Sequence, residues 1–455
     1  MENLLAMAIR DHGLIPDHGR VLVAVSGGVD SVCLLHGLLS LSRGGRLFEL
    51  VVAHLDHGLR QESSDDACFV ASLCADWGVL CHTERIDVQA LATQRKQGLE
   101  ETGRDVRYQF LRRVAQSAGC DCVALAHHQG DQAETVMLRM VRGCGVSGLA
   151  AMDWRRGLFI RPLLDVGRGQ IEAYRRKHAL RFVEDVSNAD VTFSRNRIRH
   201  QVMPELCQIN PEVAGQFSQL SQRVRLEESY WMEQVQTVLD KIARWKSAEL
   251  RLSCELLMLE HPALRVRVIR ECLNRVRGGL LGIEAQHLRL VEGLLGVGRP
   301  QRQLDLPKVW VARRYGDLVF RSSPPAGCSA FNLQLFAPGC YALPGGRVLE
   351  VVLVDSPGDE SPWQVEFDAA LVTFPLTVRS PHAGDRIRCG GMEGRKKLKA
   401  LFADGRVELE QRASALVLEL DDELLWLMGV RRCRDYRVSA ATLHVLRASV
   451  SEVDM

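Results

Sequence analysis

Along residues 1–200, short apolar runs alternate with amphipathic stretches. Residues 20–25 (RVLVAV), 50–55 (LVVAHL) and 122–127 (CVALAH) are apolar at nearly every position, and residues 79–88 alternate. Between these runs the apolar spacing is helical, at 31–41, 63–77, 100–118 and 129–142. Strands apolar on both faces, separated by helices, predict βαβ units around a covered parallel sheet. Ligands of such sheets bind beyond the carboxyl ends of the strands. Near Asn210 and Pro211 the texture changes. From 212 to about 299 the period is helical: Leu264, Val268, Cys272 and Val276 share one face, with Arg265, Arg267, Arg270, Arg275 and Arg277 around it. From 303 onward, Pro and Gly punctuate short runs at 309–311, 332–336, 348–354 and 364–367, which predicts β structure with turns. Residues 374–446 read as a small α+β module. The expected fold is α/β: a parallel-sheet nucleotide-binding domain (1–211), a mainly helical middle domain with β segments toward its end (212–330), and a C-terminal α+β module (331–455).

Composition narrows the function classes. The 455 residues suit about three domains. No run of 18 apolar residues exists, so no membrane span is expected. The opening MENLLAMAIRDHG lacks the apolar segment of a signal peptide. The 14 cysteines include no C-x-x-C, which fits a reduced cytoplasmic protein and argues against zinc-ribbon or iron–sulfur ligation. With 58 basic and 56 acidic residues the net charge is only +2, so any polyanion-binding surface must be local. Two regions qualify. Residues 155–225 hold 13 basic against 7 acidic residues, with Arg195, Arg197 and Arg199 packed together. Residues 376–448 hold 14 against 10, with Arg395, Lys396, Lys397 and Lys399 clustered. Three of the chain's 8 lysines fall in that cluster. Both patterns fit contact with nucleic-acid phosphates.

The strongest chemical signal is S-G-G-V-D-S, formed by Ser26, Gly27, Gly28, Val29, Asp30 and Ser31, between a buried strand and a helix. The glycines let backbone N–H groups wrap an anion, and the helix N-terminus adds positive potential. Asp30 places a carboxylate beside such phosphates, as a bridging Mg²⁺ would require. The chain contains no Gly-Lys dipeptide, which excludes the P-loop. A formal G-x-G-x-x-G at 143–148 follows a helical pattern rather than a strand, so its dinucleotide context fails. A second constellation, H-H-Q-G-D-Q-A-E-T at 127–135, lies where another strand meets a helix. Its Asp131 and Glu134 share the first helical turn and are candidates for metal binding or for handling a nucleophile; Asp131 could equally be the helix cap. His127 and His128 are adjacent and point apart on a strand, so zinc ligation is not expected. His54, Asp56, His57 and Arg60, in H-L-D-H-G-L-R, could surround a nucleotide, or simply form a solvated loop.

S-G-G-x-D-S is the pattern of the PP-loop ATP pyrophosphatases, which the chain resembles. Within that group it is similar to the tRNA(Ile)-lysidine synthetases over nearly its whole length. The resemblance rests on H-L-D-H-G-L-R, E-E-T-G-R-D-V-R-Y (100–108), the H-H-Q-G-D-Q-A-E-T segment, R-P-L-L (161–164), E-D-V-S-N-A-D-V-T-F-S-R-N-R-I-R-H (184–200), G-D-R-I (384–387) and R-K-K-L-K-A-L-F (395–402). Gly130 stands where that family usually carries a second acid.

The resemblance implies an enzyme that adenylates O2 of the wobble cytidine of a CAU-anticodon tRNA(Ile) with ATP. Lysine then replaces AMP at C2. It implies ATP binding at residues 26–31 with His54, Asp56 and His57, Mg²⁺ at Asp30 and Asp131, and catalysis by Asp30, Asp131 and Glu134. It further implies lysine at Arg107 and Glu134, and tRNA at Arg195, Arg197, Arg199 and the 395–399 cluster. Three alternatives stay open: a PP-loop tRNA cytidine thiolase, a small-metabolite ATP pyrophosphatase, and a non-catalytic RNA-binding protein. The oligomeric state, a homodimer included, is also open.

Overall fold

The first three apolar runs and the residue 122–127 run become neighbouring strands of one sheet. In the computed structural model, which describes all residues except 46–47, 59–62, 184–193, 247, 297, 299, 326, 391–393 and 453–455, these are β1 (Arg20–Ala24), β2 (Glu49–Asp56), β3 (Leu80–Arg85) and β4 (Cys122–Ala124). Two short strands, β5 (Arg155–Arg156) and β6 (Phe159–Ile160), complete the order β3-β2-β1-β4-β6-β5. All pairings are parallel except β5 with β6. Helices α1 (Glu2–Asp11), α2 (Val29–Arg43), α3 (Ser63–Trp77), α4 (Val88–Arg95), α5 (Leu99–Ser117), α6 (Gln129–Arg142) and α7 (Arg168–Lys177) surround it.

Alternation explains why these strands are apolar throughout. Val21, Val23 and Val52 enter a core with residues of α1, α2, α3 and α7, while Leu22, Val51 and Val123 enter a second core with α5. The chain winds outward from β1 to β2 and β3, then returns to place β4 on the other side of β1. The crevice between β1 and β4 is therefore the topological switch point, where an open α/β sheet offers a ligand site.

Helices α1 and α4 were absent from the sequence expectation, and β4 stops three residues early. After α7 the chain re-enters the described region as α8 (Ser194–Arg197), a π-helical turn (Ile198–Val202), α9 (Met203–Ile209) and the 30-residue α10 (Val213–Ile242). The first half of α10 is fastened to the sheet domain. Ser218 Oγ donates to Asp165 Oδ1 (2.7 Å), Ser221 Oγ to the Leu149 carbonyl (2.9 Å), and Arg225 Nη1 to the Ala150 and Met152 carbonyls (both 2.8 Å). The first compact unit accordingly runs from Met1 to Tyr230.

The second unit, Trp231–Met455, contains two cores. In the first, Val268 and Cys272 are buried, with Leu264 and Val276 packed beside them, as the helical period predicts. A hairpin, Ala243–Lys246 with Glu249–Ser253, interrupts the expected helical stretch and joins a five-stranded sheet. The second core spans Leu335 to Ala448. Its strands Asn332–Leu335 and Arg347–Val354 pair with Leu376–Arg379 and Val445–Glu452. The module read as beginning at 374 thus completes its sheets with strands from further upstream. Among the described residues, no helix is long and apolar enough to cross a membrane. The 14 cysteines are free thiols.

A polar seam joins these two cores. The Arg314 side chain is 1% exposed; its Nε donates to Glu410 Oε2 (2.9 Å), and its other nitrogens donate to the Arg302 carbonyl and Gln303 Oε1 (both 3.2 Å). Arg251 makes a two-pronged pair with Glu408 (2.6 and 2.9 Å). Burial opposes ionisation of Glu410, but the Arg314 guanidinium outweighs it and holds the carboxyl below its ordinary value. The stability contributed by Glu410 is thus present above the ordinary carboxyl range and is lost as pH falls through the lower native value. Glu410→Gln should cost about 1–3 kcal/mol at neutral pH. That difference from the parent should shrink in acid. Denaturant titrations of both proteins at several pH values check this; a loss of constant size across the acid range would contradict it.

Candidate active site

The turn after β1 is held by its own side chains. Ser31 Oγ donates to the Gly28 carbonyl (2.9 Å) and accepts from the Ser26 N–H (3.2 Å), while the Ser26 hydroxyl lies 3.3 Å from it. Gly27 adopts φ +93°, a left-handed conformation that a side chain would strain. Gly28 caps α2 without a side chain, leaving the first N–H groups of the helix without a side-chain acceptor. Both serines thus shape the loop.

Asp30, on the first turn of α2, faces the start of α6. Its Oδ2 lies 3.7 Å from His128 Nε2, and that same nitrogen lies 3.8 Å from Asp131 Oδ2. His128, not Asp131, is the cap of α6. Its Nδ1 accepts from the Gly130 N–H (2.9 Å), so the proton of a neutral ring sits on Nε2, between the two carboxylates. Asp131 Oδ2 accepts in return from the His128 N–H (2.9 Å), a reciprocal capping box. A Cβ at position 130 would stand 2.7 Å from His128 Cε1. Glycine at this usually acidic place is therefore what allows the His128 ring to fold onto the helix start.

Asp131 and Glu134 are both buried, and two arginines cover them. Arg195 donates to Asp131 Oδ1 (2.9 Å) and Glu134 Oε2 (2.8 Å). Arg199 donates to Asp131 Oδ1 (3.0 Å) and to both Glu134 oxygens (2.5 and 3.0 Å). Burial disfavours the Asp131 carboxylate, yet the neighbouring histidines, Arg195 and the His128 N–H hold its carboxyl well below the usual range. Burial pushes Asp30 the other way, upward. The arginines expected to reach tRNA therefore divide: Arg195 and Arg199 lie on the carboxylates, whereas Arg197 is exposed and, among the described residues, bonds only Gln201 Oε1 (3.3 Å). Residues 184–193 of the same motif, and Arg60, lie outside the described residues.

Arg107 projects from α5 and has no hydrogen-bond or ion-pair partner among the described residues. It is solvent-accessible, but the surrounding protein and the charges of Arg104 and Arg195 disfavour its guanidinium. His127 is pushed down to about 3 by burial, against the pull of Asp131. His54 is buried; its Nδ1 donates to the Val25 carbonyl (2.9 Å), and its Nε2 has no partner among the described residues. Asp56 accepts from the Gly58 N–H (2.8 Å) and holds the turn that begins at His57. Two participants escaped sequence reasoning: His128 as cap and bridge, and Arg168, whose Nη1 donates to Asp30 Oδ1 (2.7 Å).

Comparison with known proteins decides the family. Residues 2–206 match a PP-loop domain model, 252–319 a TilS substrate binding domain and 376–447 a TilS substrate C-terminal domain. The tRNA(Ile)-lysidine synthase of Geobacter sulfurreducens is 37% identical over 440 residues, covering 95% of this chain and 93% of its own. The chain belongs to the tRNA(Ile)-lysidine synthase family. That of Geobacillus kaustophilus is 33% identical, covering 93% of each chain. Among solved structures, a U34-tRNA thiolase from Methanococcus maripaludis overlaps 49% of this chain and 77% of its own at TM-score 0.43 and 16% identity.

The cationic cluster of this lysidine synthase family member is also partly committed. Arg395 Nη2 donates to Glu423 Oε1 (2.6 Å), and Lys396 pairs with Asp404. Lys397 and Lys399 are exposed and have no partner among the described residues. In G-D-R-I, Asp385 pairs with Arg379 (2.8 Å) and so builds the fold, while Arg386 is exposed.

The division among the arginines is testable by stability alone. Arg199→Ala removes charge-assisted bonds to two buried carboxylates and should cost about 1.5–3 kcal/mol. Arg197→Ala should stay within about 0.5 kcal/mol. Denaturant midpoints of the two variants measure the difference; equal losses would show that the carboxylates do not depend on Arg199.

Proposed function

We propose that this chain joins lysine to C2 of the wobble cytidine of a CAU-anticodon tRNA(Ile), consuming ATP and releasing pyrophosphate and AMP. The observation that carries the proposal is the meeting of Asp30, Asp131 and Glu134 at the sheet's switch point. Family membership favours this reading over the thiolase alternative. In the first step O2 of the cytosine attacks the α-phosphorus, and pyrophosphate leaves. A carbonyl oxygen is a poor leaving group, and adenylation makes it a good one. In the second step the ε-amine of lysine attacks C2, and the C2–O2 bond breaks to release AMP.

The residues fit these needs. The 26–31 turn and the N-terminus of α2 receive the triphosphate. The unpartnered Nε2 of buried His54 is an acceptor near the end of β1, suited to a donor of the nucleotide. Asp30 and Asp131 are hard oxygen donors on separate helices. Mg²⁺ typically takes one or two carboxylates and completes its shell with phosphate oxygens and water, so this pair would hold it. There the metal would neutralise charge on the leaving pyrophosphate. Arg107 receives the lysine carboxylate as a two-pronged pair, and Glu134 holds its ammonium group before attack. Arg195 and Arg199 pair with Asp131 and Glu134 until substrates replace them. Arg197, Lys397 and Lys399 contact tRNA phosphates, with Arg395 and Lys396 beside the last two.

Pyrophosphate release, measured with ATP, lysine and bulk bacterial tRNA and with each omitted in turn, tests the reaction. Release should require tRNA, and AMP discharge should require lysine; turnover without tRNA would overturn the reading. Arg107→Ala should raise the lysine requirement about ten- to a hundredfold while leaving the ATP requirement near the parent's. Equal shifts in both would remove Arg107 from the lysine site. Lys397→Ala with Lys399→Ala should weaken tRNA binding and flatten its salt dependence by roughly one counterion per contact. An unchanged slope would place tRNA elsewhere.

A further inference from the structure

Three helices begin at one point in the first unit. α2 is capped by Gly28, α6 by His128 and α7 by Gly167. Arg168, the first residue of α7, donates to Asp30 on the first turn of α2, and His128 lies against that same carboxylate. The Gln129 N–H, at the start of α6, donates to the Val166 carbonyl (3.1 Å), just before α7. Each helix start carries about half a positive charge, and a guanidinium and an imidazole N–H add to it. Two carboxylates, Asp30 on α2 and Asp131 on α6, answer this concentration of positive potential, and Asp30 is the one that Arg168 reaches.

That arrangement cannot persist when nucleotide binds as proposed above. The metal and Arg168 would compete for the oxygens of Asp30, and the triphosphate brings several negative charges to the same place. Arg168 is built to move. Its side chain is 52% exposed, and its Nη2 is tethered to Glu172 Oε1 (3.1 Å), one turn along α7. Glu172 is also held by Arg175 (3.0 Å), so Glu172 keeps a partner when Arg168 turns away. A rotation of the Arg168 stem re-aims the fork without unfolding α7.

We propose that Arg168 is a phosphate clamp: it balances Asp30 before nucleotide binds, then passes its guanidinium to non-bridging oxygens of the β- and γ-phosphates. When the α-phosphorus–oxygen bond breaks, the electron pair stays with pyrophosphate. Arg168 then faces the charge that develops on this leaving group, where a planar, two-pronged donor is best matched. The proposal rests on the reading of residues 26–31 as the triphosphate site.

The test compares full-length parent, Arg168→Ala and Arg168→Lys by calorimetric titration without tRNA. Three probes are used with Mg²⁺: α,β-methylene-ATP, pyrophosphate and AMP. Arg168→Ala should weaken α,β-methylene-ATP and pyrophosphate about ten- to a hundredfold, the loss expected for a charge-assisted pair, and leave AMP within about twofold. Arg168→Lys should recover part of that loss, since charge is kept and the fork is not. Mg²⁺ alone should bind Arg168→Ala more tightly than the parent, because the competing cation is gone. Parallel losses for AMP and the ATP analogue would make Arg168 a structural residue and overturn the clamp. Unchanged binding of the analogue would make it only a counterion of Asp30, overturning it equally. A parent that binds none of the three probes would instead overturn the triphosphate site itself.

Discussion

Two carboxylates buried one turn apart near the start of one helix repel each other and lose their hydration, so cations must meet them there. Asp131 and Glu134 are in that position, and Arg195 and Arg199 meet both. This four-residue cluster ties the segment after residue 193 to the carboxyl edge of the sheet. Next to these residues, His128 spans Asp30 and Asp131, linking the cluster to the turn after β1. The site is therefore preorganised by opposed charges, each of which a substrate group can replace. Under the proposed function, phosphate would answer the cations, and a metal or an ammonium group the acids.

The parallel sheet was legible because burial on both faces forces continuous apolar runs, and RVLVAV and LVVAHL are of that kind. The turn after β1 was legible because glycine and serine spacing reports backbone conformation directly. What sequence could not convey is which charge answers which. Arg195, Arg197 and Arg199 look equivalent in the chain, yet two face inward and one outward, and only the helical register at that segment separates them. Arg168 is 138 residues from Asp30, so no local pattern could join them. His128 was weighed as a metal ligand and dismissed; its role as a cap depends on Gly130, a neighbour whose meaning is steric.

The second unit shows the complementary limit. The hairpin at residues 243–253 sits inside a helical context, although the alternating burial of Glu249–Ser253 was present in ELRLS. Strands near 332 and 347 find partners about 45 and 100 residues downstream, a separation that sequence pattern does not reveal. Ion pairs, not apolar packing, dominate the seam at Arg251 and Arg314. Several of the clustered basic residues thus serve architecture, which is why a count of basic residues overstated the free cationic surface. Lys397 and Lys399 survive that sorting, and Arg395 and Lys396 largely do not.

The central claim is that the acids and cations of this cleft serve to replace an activated cytidine oxygen with lysine. The most direct measurement is the mass of the wobble nucleoside of a CAU-anticodon tRNA(Ile) after incubation with the protein, ATP and isotopically labelled lysine. The account predicts that cytidine disappears and that a nucleoside carrying the intact labelled lysine takes its place, one AMP being released for each. An unmodified cytidine despite ATP consumption, or a product carrying sulfur and no lysine, would contradict it.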